Sequence, residues 1–171
     1  MTPVFVQDAG RSVLAMIPLV ATAILVLFGA VPTQLPDFDA VTPLLSLAAV
    51  YFFAIYRPSL LPAPAVFAVG LFQDALIGLP FGLSALVLLG VYGVIVSQRS
   101  AFRGRPFLIS WMGFAAVVPV AAAVTWAIVS ALAGTFVPPM AVVFQALITI
   151  AVYPLVNVLL AGLARLLPGA S

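Results

Sequence analysis

Long uncharged stretches alternate along this chain with short polar breaks, and each stretch is of a length that can cross a bilayer. A crossing helix needs about 20 mainly apolar residues, because a rise of about 1.5 Å per residue has to cover about 30 Å of hydrocarbon. The first predicted span is 12–31, followed by a polar turn at 32–40 with two prolines, Gln34, Asp37 and Asp39. Residues 41–56 make a short second span, which Arg57-Pro58 ends and Tyr56 anchors at the interface. Joining it to the next apolar run would bury Arg57 at mid-membrane, at about 2.5–3.5 kcal/mol on insertion scales. The stretch 58–98 carries one charge, Asp74, and divides at Gly78-Leu79-Pro80-Phe81-Gly82, where paired glycines and a proline form a tight turn. That gives a third span at 60–77 and a fourth at 81–97. The uncharged run 106–164 breaks at 134–139, giving spans at 107–132 and 140–163. Pro18, Pro119 and Pro154 fall inside spans, where a proline is tolerated if a neighbour satisfies the carbonyl it frees.

Charge sets the orientation. The basic residues are Arg11, Arg57, Arg99, Arg103, Arg105 and Arg165, with no lysine. If the chain starts in the cytoplasm and crosses six times, Asp37 and Asp39 lie outside and all six arginines are cytoplasmic, as the positive-inside rule requires of arginine. The expected fold is therefore an all-α polytopic membrane protein, a single integral domain over 1–171 with six helices, short loops and both termini cytoplasmic. The run 12–36 is longer than a signal-peptide core and is read as a retained span. Hydrophobic residues make up 65% of the chain and charged residues 6%, too few to solvate a soluble domain of 171 residues. Histidine, cysteine, lysine and glutamate are absent, which excludes disulfides, thiolate chemistry and imidazole-based catalysis or metal binding. The arginines are scattered over short loops, so no clustered footprint for nucleic acid exists. The two halves share no repeated glycine or polar pattern, which argues against an inverted-repeat transporter.

Asp74 is the one ionisable side chain inside an apolar span, four residues before the outer turn. An intramembrane carboxylate raises a functional question because it is costly to keep. Three roles are open: a solvated cap on the turn with a part in packing, a partner contact, or a proton or ion relay. The first is favoured, and a relay would need a second carboxylate, lysine or histidine nearby, which no other span offers. A hydrogen bond from Gln145, at comparable depth on the sixth span, would satisfy both side chains; such bonds average about 0.6 kcal/mol. On that reading Asp74→Asn is mild and Asp74→Leu damaging. Gln73 and Asn157 are read as interhelical glue. Gly78 and Gly82 match G-x-x-x-G, but Leu79 and Pro80 put the pair in a turn. Arg99, Arg103 and Arg105 are read as a plain topology determinant, with contact to anionic lipid or a cytoplasmic protein as the alternative.

Taken together, these segments resemble the MreD family of bacterial rod-shape-determining proteins. The likeness rests on chain size, span count and local patterns: Pro43-Leu44-Leu45 opening the second span, Tyr56-Arg57-Pro58, the segment from Gly70 to Gly82 with its embedded Asp74, and Tyr153-Pro154 before the basic end at Arg165. The Asp74 segment is the most specific of these. The resemblance implies a non-enzymatic subunit of the cell-elongation machinery in the bacterial inner membrane, without cofactors, supporting rod shape and peptidoglycan synthesis. The implied partner is MreC, a bitopic protein, and beyond it MreB, RodA and a class B penicillin-binding transpeptidase. It also implies a fold similar to the six-helix substrate-binding subunits of energy-coupling-factor transporters.

That second likeness makes a small-molecule-binding transport subunit the alternative function. Such subunits resemble one another in placing small residues four apart on the first span. Here Ala15, Ala21 and Ala23 are followed four residues on by Leu19, Leu25 and Leu27. A scaffold needs only complementary apolar faces, and small residues let helix backbones approach. The partner contact is therefore expected on the hairpin of the third and fourth spans, with Asp74, Gly78, Gly82 and Gly90 as candidates, and Arg57, Gln145 and Pro154 in support.

Overall fold

The computed structural model describes residues 19–27, 29, 44–102, 104–134 and 139–165. The polar loop at 32–40, Arg11, Pro18 and Arg103 lie outside the described residues. Every regular element among the described residues is helical: α1 over 19–27, α2 Leu45–Tyr56, α3 Ala63–Ile77, α4 Leu83–Phe102, α5 Phe107–Ala133 and α6 Pro139–Arg165. Three of them, α4, α5 and α6, are long and apolar enough to cross a membrane. Their outward residues include Val120, Val124, Ile128 and Leu132 on α5 and Leu155, Val158 and Leu159 on α6, all exposed. Soluble monomers rarely display contiguous apolar surface on that scale, and lipid is the solvent that suits it.

α2 is the axis of the bundle. No residue from Leu47 to Ile55 is more than 3% exposed, and α3, α4, α5 and α6 all pack on it. Its 12 residues rise only about 18 Å, short of a hydrocarbon core. Protein rather than lipid surrounds it, so its ends need partners in neighbouring helices and not the full thickness of a bilayer. At the first end the Leu44 N–H donates to Thr149 Oγ1 on α6 (3.0 Å), and the Thr149 hydroxyl donates to the Gln145 carbonyl (2.7 Å). At mid-length the Tyr51 hydroxyl donates to the Ser110 carbonyl (2.9 Å). The Tyr51 ring meets Phe114 edge-on at 5.1 Å and Tyr153 edge-on at 5.7 Å, while Phe114 and Tyr153 stack at 4.2 Å. This aromatic cluster ties α2, α5 and α6 together.

Element boundaries differ from the sequence expectation where backbone chemistry outweighs hydropathy. α3 begins at Ala63, not at 60, because Pro62 is extended and Pro64 occupies the first turn, where a missing N–H costs nothing. α4 begins at Leu83, not at 81, because Gly82 has φ 96°, outside helical space. It continues to Phe102, five residues beyond the expected end: Arg99 lies in its last turn, where the helix dipole favours a cation, and Gly104 at φ 75° turns the chain beyond it. Pro119 and Pro154 lie inside continuous helices, α5 and α6. Pro154 denies Ile150 its usual helical donor, and the Trp111 indole N–H supplies one at 3.1 Å. For Pro154 the expected neighbour for a freed carbonyl is thus present.

α3 and α4 pack tightly against one another at Gly70. A Cβ placed on Gly70 would lie 2.3 Å from the Ala85 Cα, so only glycine allows this approach. Arg57, Arg99 and Arg105 sit at the ends of α2, α4 and the α4–α5 connection, which chain reversal brings to one end of the bundle. The Gly78–Gly82 turn marks the opposite end.

Candidate functional site

The site residues named from sequence fall into five places. Asp74, Gly78 and Gly82 come together in the α3–α4 turn; Gly90 lies in a groove between α4 and α5; Gln145 lines a cavity at the turn end of the bundle. Arg57 stands apart at the arginine end, with its Nη1 buried and unpartnered among the described residues. Pro154 belongs to the Trp111 contact on α6.

Asp74 closes one helix and opens the next. Its main-chain carbonyl accepts the N–H of Gly78 (2.9 Å) and of Leu79 (3.2 Å), ending α3 through Gly78 in the left-handed conformation at φ 74°. Its carboxylate accepts the Gly82 N–H at Oδ2 (2.8 Å) and the Ser84 N–H at Oδ1 (3.0 Å). Ser84 is the second residue of α4, so Asp74 serves as an N-cap supplied from the preceding helix. A carboxylate also favours the positive end of the α4 dipole. Two expectations change. Asp74 is fully buried and not solvated, and its carboxylate partners are main-chain N–H groups and not Gln145, which makes its own interaction elsewhere. The turn role itself stands, and the G-x-x-x-G pair lies in the turn at positive φ, as read.

Gly82 and Gly90, paired in the sequence reading as docking residues, have different surroundings. Gly82 is fixed by its conformation and by its bond to Asp74. Gly90 is helical and exposed, with open space where a side chain would project. It lies in a wholly apolar groove of about 460 Å³, walled by Leu86 and Val94 of α4 and by Ala116, Val120 and Val124 of α5. The available surface is therefore α4–α5. The α3–α4 face uses its small residues Gly70 and Ala85 internally.

A separate cavity of about 270 Å³ sits at the turn end between α1, α2, α3, α4, α5 and α6. Leu25 and Leu88 are among its apolar walls, and Ser46, Gln73, Ser84, Thr125 and Gln145 are among its polar ones. Gln73, expected as interhelical glue, has its Oε1 buried with no partner among the described residues. Helical spacing carried no signal for this, since Gln73 and Ser84 meet only through the turn. Among the described residues no group of histidine, cysteine, aspartate or glutamate is arranged to hold a metal.

No family model, curated protein or solved structure matches this chain.

Proposed function

We propose that this protein is a non-enzymatic, multi-pass scaffold of the bacterial inner membrane, of MreD type, that holds the transmembrane helix of a bitopic MreC-like partner. The observation that carries this reading is the α4–α5 groove. It is apolar throughout, it lies between two helices of spanning length, and Gly90 leaves its floor open to close backbone approach. Apolar surface alone gives no preference for protein over lipid, so helix association in a membrane depends on close packing at small residues. A groove of this shape suits a single helix. Orientation follows from charge: the arginine end faces the cytoplasm and the Asp74 turn faces outward. The partner's helix then reaches MreB at one end and RodA with its transpeptidase at the other, and this chain contributes to rod shape by holding that helix in place.

Gly90→Leu tests the reading. The substitution extends into the groove from a position where a Cβ meets nothing within 4 Å. The expected result is at least tenfold lower co-purification of a co-expressed MreC-like partner, since about 1.4 kcal/mol of lost packing is tenfold in affinity. The yield and thermal stability of the isolated protein should be unchanged. Undiminished co-purification at equal expression would remove the groove as the docking surface.

A further inference from the structure

The cavity at the turn end has no part in the docking reading, and its chemistry points to a ligand. A buried carbonyl oxygen without a donor is unfavourable to keep, and native interiors seldom leave one. Here the amide concerned belongs to Gln73, which is 6% exposed and lines a space of about 270 Å³. That space is several times the roughly 30 Å³ share of one liquid water and close to the roughly 300 Å³ lower bound of small-molecule pockets. Ser84, 6% exposed, and Ser46, 3% exposed, add two hydroxyls to the same wall. The remaining lining is largely apolar, with Trp126 providing a flat face. No arginine or aspartate lines the cavity among the described residues; the carboxylate of Asp74 is turned to the N–H groups of Gly82 and Ser84 instead.

We propose that this cavity binds a small uncharged molecule with an apolar body and a primary amide or similar donor–acceptor head, held by the Gln73 carboxamide. The terminal torsion of glutamine is broad, so rotation about it can turn both the oxygen and the nitrogen of the amide to the cavity. A primary amide answers a glutamine amide with paired hydrogen bonds, its N–H₂ donating to Oε1 and its oxygen accepting from Nε2. The serine hydroxyls fix the head, and Leu25, Leu88 and Trp126 take the body. A carboxylate of the same shape is rejected, because it brings a charge with no cation to meet it and an oxygen against Oε1.

Benzamide and benzoate are the probes, matched in shape and different in charge. The chain has two tryptophans, and Trp111→Phe leaves Trp126 as the only indole, so its fluorescence reports on the cavity. With the purified full-length protein in lipid nanodiscs, benzamide should give a saturable change and benzoate none at the same concentrations. Gln73→Leu should weaken benzamide by about tenfold or more, as a site built around a hydrogen bond discriminates strongly when that bond is lost. Without ligand, the same substitution should raise the Tm by about 2–4 °C, because the orphaned oxygen is gone. Ser84→Ala leaves the main-chain bond to Asp74 intact and should weaken benzamide by a smaller factor. Equal response to both probes, no response to either, or benzamide binding unchanged in Gln73→Leu would overturn the proposal. So would a phospholipid that native mass spectrometry finds bound and that benzamide does not displace. Partner co-purification is measured separately, so failure here and failure of the docking reading are distinguishable.

Discussion

Asp74→Leu is expected to prevent accumulation of the folded protein. The substitution leaves the Gly82 and Ser84 N–H groups without their acceptor, one of them fully inside the bundle. Each orphaned donor costs about 1–3 kcal/mol, set against a total stability of about 5–15 kcal/mol. The loss also strips α4 of its N-cap, at the helix end where Ala85 packs tightly against Gly70. Asp74→Asn falls between. Its single amide oxygen can accept from one N–H, but its N–H₂ then faces the other, donor against donor. The expected penalty for Asn is about 1–3 kcal/mol, larger than an interhelical bond from Gln145 would have implied. Size-exclusion profiles and thermal melts of the three proteins in one detergent check the order wild type, Asn, Leu. A leucine variant as stable as wild type would show that the turn does not depend on the carboxylate.

Gly70→Leu should be comparably severe for a different reason. The Cβ alone would lie 2.3 Å from the Ala85 Cα and 2.6 Å from its main-chain nitrogen, contacts that rotation of a side chain cannot relieve. α3 and α4 would have to separate, opening the Asp74 bonds along with the packing. Overpacking a core costs about 1–3 kcal/mol when side chains can adjust, and here the obstacle is backbone, so the loss should exceed that range. Gly93→Leu is the matched control, since nothing lies within 4 Å of a Cβ at Gly93. The expected readout is loss of the monodisperse peak for Gly70→Leu and its retention for Gly93→Leu. Equal behaviour would mean that the α3–α4 approach is not a determinant of stability.

What sequence made legible, and what it hid, follows from the range of each interaction. The α5 and α6 helices were readable to within about two residues because long apolar runs are a local signal and glycine at Gly134 is a local stop. The glycine–proline turn at 78–82 was equally legible. The central position of α2 was not, because a helix apolar on every face looks the same whether protein or lipid surrounds it. The partners of Asp74 were missed for a related reason: side-chain pairing by type suggested Gln145, while the nearest donors were main-chain N–H groups, which every residue but proline carries and no pattern marks. Gly70 and Gly90 show the same limit. Both are glycines in apolar helices, yet one is closed against Ala85 and the other is open, and only the packing of α3, α4 and α5 separates them. Gln73 turned from interhelical glue into a cavity residue once Ser84 was folded back beside it across the turn.

The absence of cysteine from the chain gives the most direct test of the docking account. Gly90→Cys introduces a single thiol in the groove, and Leu155→Cys places one on the exposed face of α6. Each variant is co-expressed with an MreC-like partner carrying one cysteine in its transmembrane helix, scanned through successive positions, and oxidised in native membranes. The account predicts a mixed disulfide from Gly90→Cys that recurs every three to four positions along the partner helix, the period of one α-helical face (about 3.6 residues), and none from Leu155→Cys. Adducts of equal yield from both sites, or none from Gly90→Cys at any partner position, would contradict it.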